Sequence, residues 1–448
     1  MSRTLTEGKI ATQLTKLTLP MVWGIFALVA FNLADTYYVG QLGTDRLAAM
    51  SFTFPVVMTL GSLALGLGIG ASSIIARAIG QGDRSRVQRF TTNSLTLGIA
   101  AVALLSSIGL LTIDPLFRAL GASSEVLPYV REYMQIWYFG MVFLVIPMVG
   151  NSAIRASGDT LTPSLIMTCS AGLNILLDPL LIFGLWGIPE LGLAGAAWAT
   201  VISRAVTLIA SLLVLKFKEN MLSSHFPDLE ETLLCWRDIL YVGLPAAGTN
   251  MITPISIGIV TSLLAVHGSL AVAGFGVASR IESFAMIVLM ALASSISPFV
   301  GQNWGAEKYG RVIRALRQSY LFCLAWGVLM AVLLAVGASS IVPLFNDNAE
   351  VIAIASAYLA IVPVSYGVAG MIQVANSAFN ALGRPIPAVI ITVLRMFVLY
   401  IPLAYLGSSW LGVTGIFVAA TISNVVVGIG AWEWSRRACF GKNDLAKV

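Results

Sequence analysis

The sequence predicts an all-α membrane protein of twelve transmembrane helices arranged as two pseudo-symmetric six-helix lobes. Composition comes first: 58% of the 448 residues are hydrophobic and only 10% are charged. The apolar residues are also continuous. No charge lies between Arg46 and Arg77, and comparable runs follow Arg89, Glu132, Arg317 and Glu350, each long enough for the roughly 20 residues of a spanning helix. Finally, the chain is duplicated. Pro20 returns as Pro245, an offset of 225 (245 − 20), and the same offset carries Gly43, Gly80, Arg86, Asn151 and Gly158 onto Gly268, Gly305, Arg311, Asn376 and Gly383.

The apolar runs place the first six spans at residues 14–38, 47–75, 92–113, 130–152, 161–184 and 191–215. The second six fall at 239–265, 270–299, 318–342, 352–379, 385–407 and 411–434. The runs are too long and unbroken for barrel strands. The expected organisation is therefore a first lobe over residues 1–215, a linker over 216–238 and a second lobe over 239–448. Six spans bring each half back to the side where it began, so the repeats share one orientation. In the last spans Gly192, Gly195 and Ser203 match Gly412, Gly415 and Ser423 at an offset of 220, which shortens the later loop.

Basic residues crowd one side, among them Lys16, Arg84, Arg86, Arg89, Arg155, Lys218, Arg311, Arg314, Arg384 and Arg436. Both termini are accordingly expected in the cytoplasm. This asymmetry accounts for the net charge of +5, which gives no reason to expect nucleic acid as a partner. The polar opening MSRTLTEGKI is not expected to act as a cleavable signal peptide. Cys169, Cys235, Cys323 and Cys439 show no paired spacing and read as packing residues. His225 and His267 are too few and too far apart for a metal site.

Asp35 is the sharpest single residue, a carboxylate near the far end of an otherwise apolar first span. A plain interfacial role beside Tyr37 and Tyr38 is the bland reading; intramembrane carboxylates are rare, which favours function. Asp178 on span five lies at comparable depth, with Asn174 four residues earlier on the same helix face and Pro179 directly after. Two carboxylates in a poorly solvated pocket cannot both ionise cheaply. Such a pair suits a proton or a small cation. Pro20 and Pro179 are the expected points of bending, because a proline frees a carbonyl one turn earlier. Asp35, Asn174 and Asp178 map onto Val260, Leu399 and Leu403, so the functional polar groups are expected in the first half alone. The remaining intramembrane charges are Arg204, Arg280, Glu282 and Arg395. Arg280 is a candidate for the wall of a second-half cavity; Arg204 and Arg395 read as snorkelling or carbonyl-paired residues. Gly66, Gly68 and Gly70 lack the strand and Lys-Ser or Lys-Thr of a phosphate loop and read as helix-packing glycines.

Several stretches together resemble the multidrug and toxic compound extrusion (MATE) family: NLADTYYVGQLGTDRLAAM from Asn32, NSAIRASGDTLTP from Asn151, NILLDPLLIFGLWGIPELGLAGAAWAT from Asn174, LAVAGFGVASRIESF from Leu270 and VGQNWGAEKYGRV from Val300. The resemblance implies two lobes forming a V and export of cationic or amphipathic compounds in exchange for protons or sodium ions. It further implies a bacterial inner-membrane protein acting as a monomer without a cofactor, driven by the ion gradient alone. Within the family, Asp35, Asn174 and Asp178 look like the first-lobe cation site of the DinF-like branch, and Tyr133 on span four corresponds to a tyrosine near it. The acids that the NorM-like branch carries on spans seven and ten are missing here. A lipid-linked oligosaccharide flippase is the nearest rival, but would favour a more basic cavity than Arg204, Arg280 and Arg395 supply. No zinc-protease pair, nucleophile elbow or phosphate-binding loop supports an enzyme or an ATP-driven pump.

Overall fold

The computed structural model describes residues 5–42, 44–187, 189–223 and 228–439. Gly43, His225 and the basic residues Arg3, Lys442 and Lys447 lie outside these, as does the side chain of Cys439. Twelve helices among the described residues are long and apolar enough to span a bilayer. They are α1 Ile10–Gly40, α2 Ala49–Gln81, α3 Arg84–Ala119, α4 Leu127–Ala156, α5 Leu161–Phe183, α6 Gly192–Lys218, α7 Leu229–Ala265, α8 Ser269–Gly305, α9 Tyr309–Leu344, α10 Ala349–Ala381, α11 Pro385–Leu411 and α12 Val413–Ala438. The chain is thus a multi-pass membrane protein, and helices are the form that satisfies the backbone without water.

Most helices outrun their apolar segments, because polar flanks continue the helix once a cap has started it. Asp83 caps α3 by accepting from the Arg86 N–H at 2.9 Å, and Asn348 caps α10 through the N–H groups of Glu350 and Val351 at 2.9 and 3.3 Å. Pro385 opens α11, where its missing donor costs nothing. Gly184 ends α5 at φ 70°, a left-handed conformation that glycine adopts without strain.

The chain forms two compact units, and they depart from the expected lobes in one respect. Among the described residues, the first takes those between 23 and 247; the second takes 5–22 and 248–439. The leading part of α1 therefore belongs with the second half and the leading part of α7 with the first. Apolar residues at helical spacing explain the former: Ile10, Leu14 and Leu17 form one stripe of α1, and with Leu5 they are buried in the core that holds Leu292, Phe299 and Val312. Polar contacts fix the same segment. The Leu5 N–H donates to Gln302 Oε1 at 2.9 Å, and Arg311 donates to the carbonyls of Leu5, Glu7 and Gly8.

In the first unit, the stretch expected as linker is docked. Arg84 and Gln88 donate to the Asn220 carbonyl at 2.9 and 3.0 Å, and Met221 is fully buried. Helix α7 already begins at Leu229, ten residues before the expected boundary, with Glu230 and Glu231 favourably placed at its amino end. Arg89 pairs with Glu231, and Trp236 Nε1 donates to the Asn93 carbonyl at 3.1 Å.

The glycines of α2 act as packing residues. A Cβ on Gly70 would strike the Ile239 carbonyl, one on Gly66 would meet Ala247 Cβ at 2.6 Å, and one on Gly68 would meet Ser152 Oγ at 2.6 Å. Each side of α2 thus approaches α4 or α7 at backbone distance. In the second unit Gly327 meets Gly367, and Gly407 meets Gly415.

Candidate functional site

Four of the expected residues converge inside the first unit. Asp178 and Asn174 are essentially inaccessible on α5, Tyr133 is buried on α4, and Asp35 is half-buried on α1. The field of Asp35 reaches Asp178, and the fields of both reach the Tyr133 hydroxyl. The helical spacing of four puts Asn174 directly beneath Asp178. In the amide orientation that satisfies both neighbours, its NH2 donates to Asp178 Oδ2 at 2.9 Å and its oxygen accepts from the Thr200 N–H at 3.2 Å. The second carboxylate oxygen, Asp178 Oδ1, is buried without any partner. An orphaned buried acceptor within the field of a second carboxylate has the polarity that a proton or a small cation satisfies.

Neighbouring helices frame this arrangement. Close approach of α1 to α5 rests on Gly24, whose added Cβ would meet Ser164 at 3.1 Å. Pro20 leaves α1 continuous, and the boundary between units within this helix falls at residues 22 and 23, just beyond it. Pro179 likewise sits inside continuous α5. One participant escapes sequence reasoning. Thr200 on α6 is an ordinary threonine in an apolar run. Arg204, one turn further, carries its guanidinium to 5.7 Å from the centre of the Phe31 ring, one turn before Asp35 on α1.

Buried polar groups also gather in the second half. In the second unit Tyr358 on α10 donates to Glu282 Oε2 on α8. Arg395 and Tyr400 on α11, with Tyr366 on α10, lie within electrostatic reach of the same carboxylate. Arg395 and Tyr400 occupy a π-helical stretch, Leu394–Tyr400, an irregularity common at functional sites. A repeat signal was available: Tyr133 plus 225 is Tyr358. Both clusters include that one shared tyrosine. Arg280 is exposed on α8 and stands apart from this cluster.

Comparison with known proteins agrees with this architecture. The MatE family model matches residues 20–180 and 245–406, two segments that start 225 residues apart. A protein named FAD transporter from Shewanella oneidensis is 39% identical over 435 residues, covering 97% of this chain and 96% of that protein. The probable multidrug resistance protein YoeA of Bacillus subtilis is 26% identical over 410 residues, 88% of each chain. A crystal structure of a mutant of the Vibrio cholerae MATE transporter VcmN matches with a TM-score of 0.92 at 31% identity, over 97% of this chain and 98% of that one.

Proposed function

The chain belongs to the MATE family of membrane transporters, and we propose that it is a secondary active exporter driven by cation exchange, with the proton as the coupling ion. The observation that carries this reading is the buried, unpartnered Oδ1 of Asp178 within the field of Asp35. Protonation there removes a charge from a poorly solvated site, lets α1 and α5 approach, and weakens the hold on a cationic cargo. Proton entry and cargo release are thereby linked. Asn174 positions Asp178, Tyr133 closes the pocket, and Pro20 and Pro179 are the points where the helices bend. No cofactor takes part; the gradient is the energy source. The protein sits in a bacterial inner membrane as a monomer with both termini in the cytoplasm, as the basic-residue asymmetry favours.

The cargo is a small cationic or amphipathic compound in the reading that the multidrug relative favours. A second reading is favoured by the more similar relative, whose name makes it a transporter of FAD: here the cargo is a flavin dinucleotide. Proteoliposomes with an imposed pH gradient separate the two. Gradient-dependent movement of FAD without movement of an acridine dye supports the second, and the reverse supports the first. Movement of neither, under a gradient shown to persist, rejects the exporter reading.

A further inference from the structure

The second-unit cluster is complementary in sign to the first. What is orphaned around Asp178 is an acceptor; what is orphaned around Glu282 are donors. The Arg395 Nε–H is buried without a partner, and so is the hydroxyl of Tyr366, a side chain only 1% exposed. Glu282 does not resolve this. One of its carboxylate oxygens is engaged by Tyr358, and among the described residues no ion pair joins it to Arg395. An arginine remains charged under all ordinary conditions, and a buried guanidinium N–H without an acceptor is costly.

Depth excludes a lipid headgroup. Arg395 lies about ten residues, roughly 15 Å, into α11, near the middle of a hydrocarbon core about 30 Å thick. The Ser423 hydroxyl donates to the Arg395 carbonyl at 2.6 Å, tying the π-helical stretch to α12. In the first unit the corresponding positions are Ser170 and Ser203, where Ser170 donates to the Ser203 carbonyl at 3.1 Å. The scaffold is shared, and the charge placed on it is not.

We propose that Arg395, Tyr366, Tyr400 and Tyr358, with Glu282 as a counter-charge, form a binding site in the second unit for an oxyanion, such as the phosphate of a small-molecule cargo. The planar guanidinium offers paired donors suited to a phosphate or carboxylate, and the phenols supply further neutral donors. Glu282 keeps the empty site near neutrality, so that the bound anion can leave again. This rests on the exporter reading only for the choice of flavins as probes.

The test is binding of FAD and of riboflavin, which lacks the phosphates, to the purified full-length protein by flavin fluorescence. The wild type is expected to hold FAD about tenfold or more tighter than riboflavin, the size of hydrogen bonds to a charged group. Arg395→Gln removes that preference and leaves riboflavin binding as in the wild type, which also reports that the variant is folded. Arg395→Lys keeps part of the preference. Glu282→Gln strengthens it severalfold by removing a nearby negative charge, whereas a purely structural partnership with Arg395 would weaken it. Competition by inorganic pyrophosphate that is lost in Arg395→Gln supports an oxyanion recognised by itself; preference for FAD without such competition supports one recognised on its cargo. Equal affinity of the wild type for both flavins, binding of neither flavin nor pyrophosphate, or an undiminished preference in Arg395→Gln overturns the proposal. Asp35→Asn should leave the preference intact, so loss of the exporter reading and loss of this site are read separately.

Discussion

The two units put different chemistry on one duplicated frame. Each has a tyrosine at the matching position, Tyr133 and Tyr358, within reach of a carboxylate's field in the membrane span. In the first unit that carboxylate has a second acid and an amide as company; in the second it has an arginine and two further phenols. Positions that both halves share build the frame, such as the small residues at helix contacts. Positions that differ set the sign of what each half can hold. Duplication thus supplies two buried polar clusters at matching places, each free to diverge in its charges.

This contrast can be broken most severely at Asp178. Asp178→Asn keeps size and hydrogen bonding but removes the titrating group, and we expect gradient-driven export to fall by about tenfold or more, equivalent to about 1.4 kcal/mol or beyond. Asn174→Ala should reduce export less, by a fewfold, because Asp178 keeps its burial and its neighbour Asp35. Rates in proteoliposomes at equal protein and equal gradient check both. If Asn174→Ala proved the more damaging, the amide rather than the acid would be the centre of the site.

A smaller effect sharpens the distinction between frame and site. Asp159, in the turn between α4 and α5, is pushed up by burial, but hydrogen bonds from Lys218 and Thr162 outweigh this and hold it below the ordinary aspartate value of 3.8. Its Oδ2 accepts from Lys218 Nζ at 2.6 Å. A depressed folded value means stability that is present above the unfolded value and lost as pH falls through the folded one. Asp159→Asn should therefore cost about 1 kcal/mol at neutral pH, lowering the melting temperature by a few degrees, and the gap to the wild type should close below pH 3.8. Export per folded molecule should be unchanged, as expected of a residue of the frame.

Much of this was legible in the sequence because lipid leaves few options. Continuous apolar runs must become helices, and the offset of 225 pairs them. The first site was legible through Asp35 and Asp178, since acids in such runs stand out. Exchange of the leading parts of α1 and α7 between the units was not, because it rests on Leu5, Ile10 and Leu14 finding the core around Phe299 rather than on any local signal. The second cluster was missed for a different reason. Its charges, Glu282 and Arg395, fall opposite Val57 and Ser170, so matching the first unit's acids onto the second could not find them; following the shared tyrosine would have.

The most direct measurement of the central claim compares one position in its two copies. Asp35→Asn and Val260→Asn place the same side chain at matching positions of the repeat. Export driven by a pH gradient in proteoliposomes should be abolished by Asp35→Asn and, per folded molecule, changed less than about twofold by Val260→Asn, whose amide at a buried apolar position costs stability rather than coupling. Wild-type export by Asp35→Asn, at equal protein and equal gradient, would contradict the account.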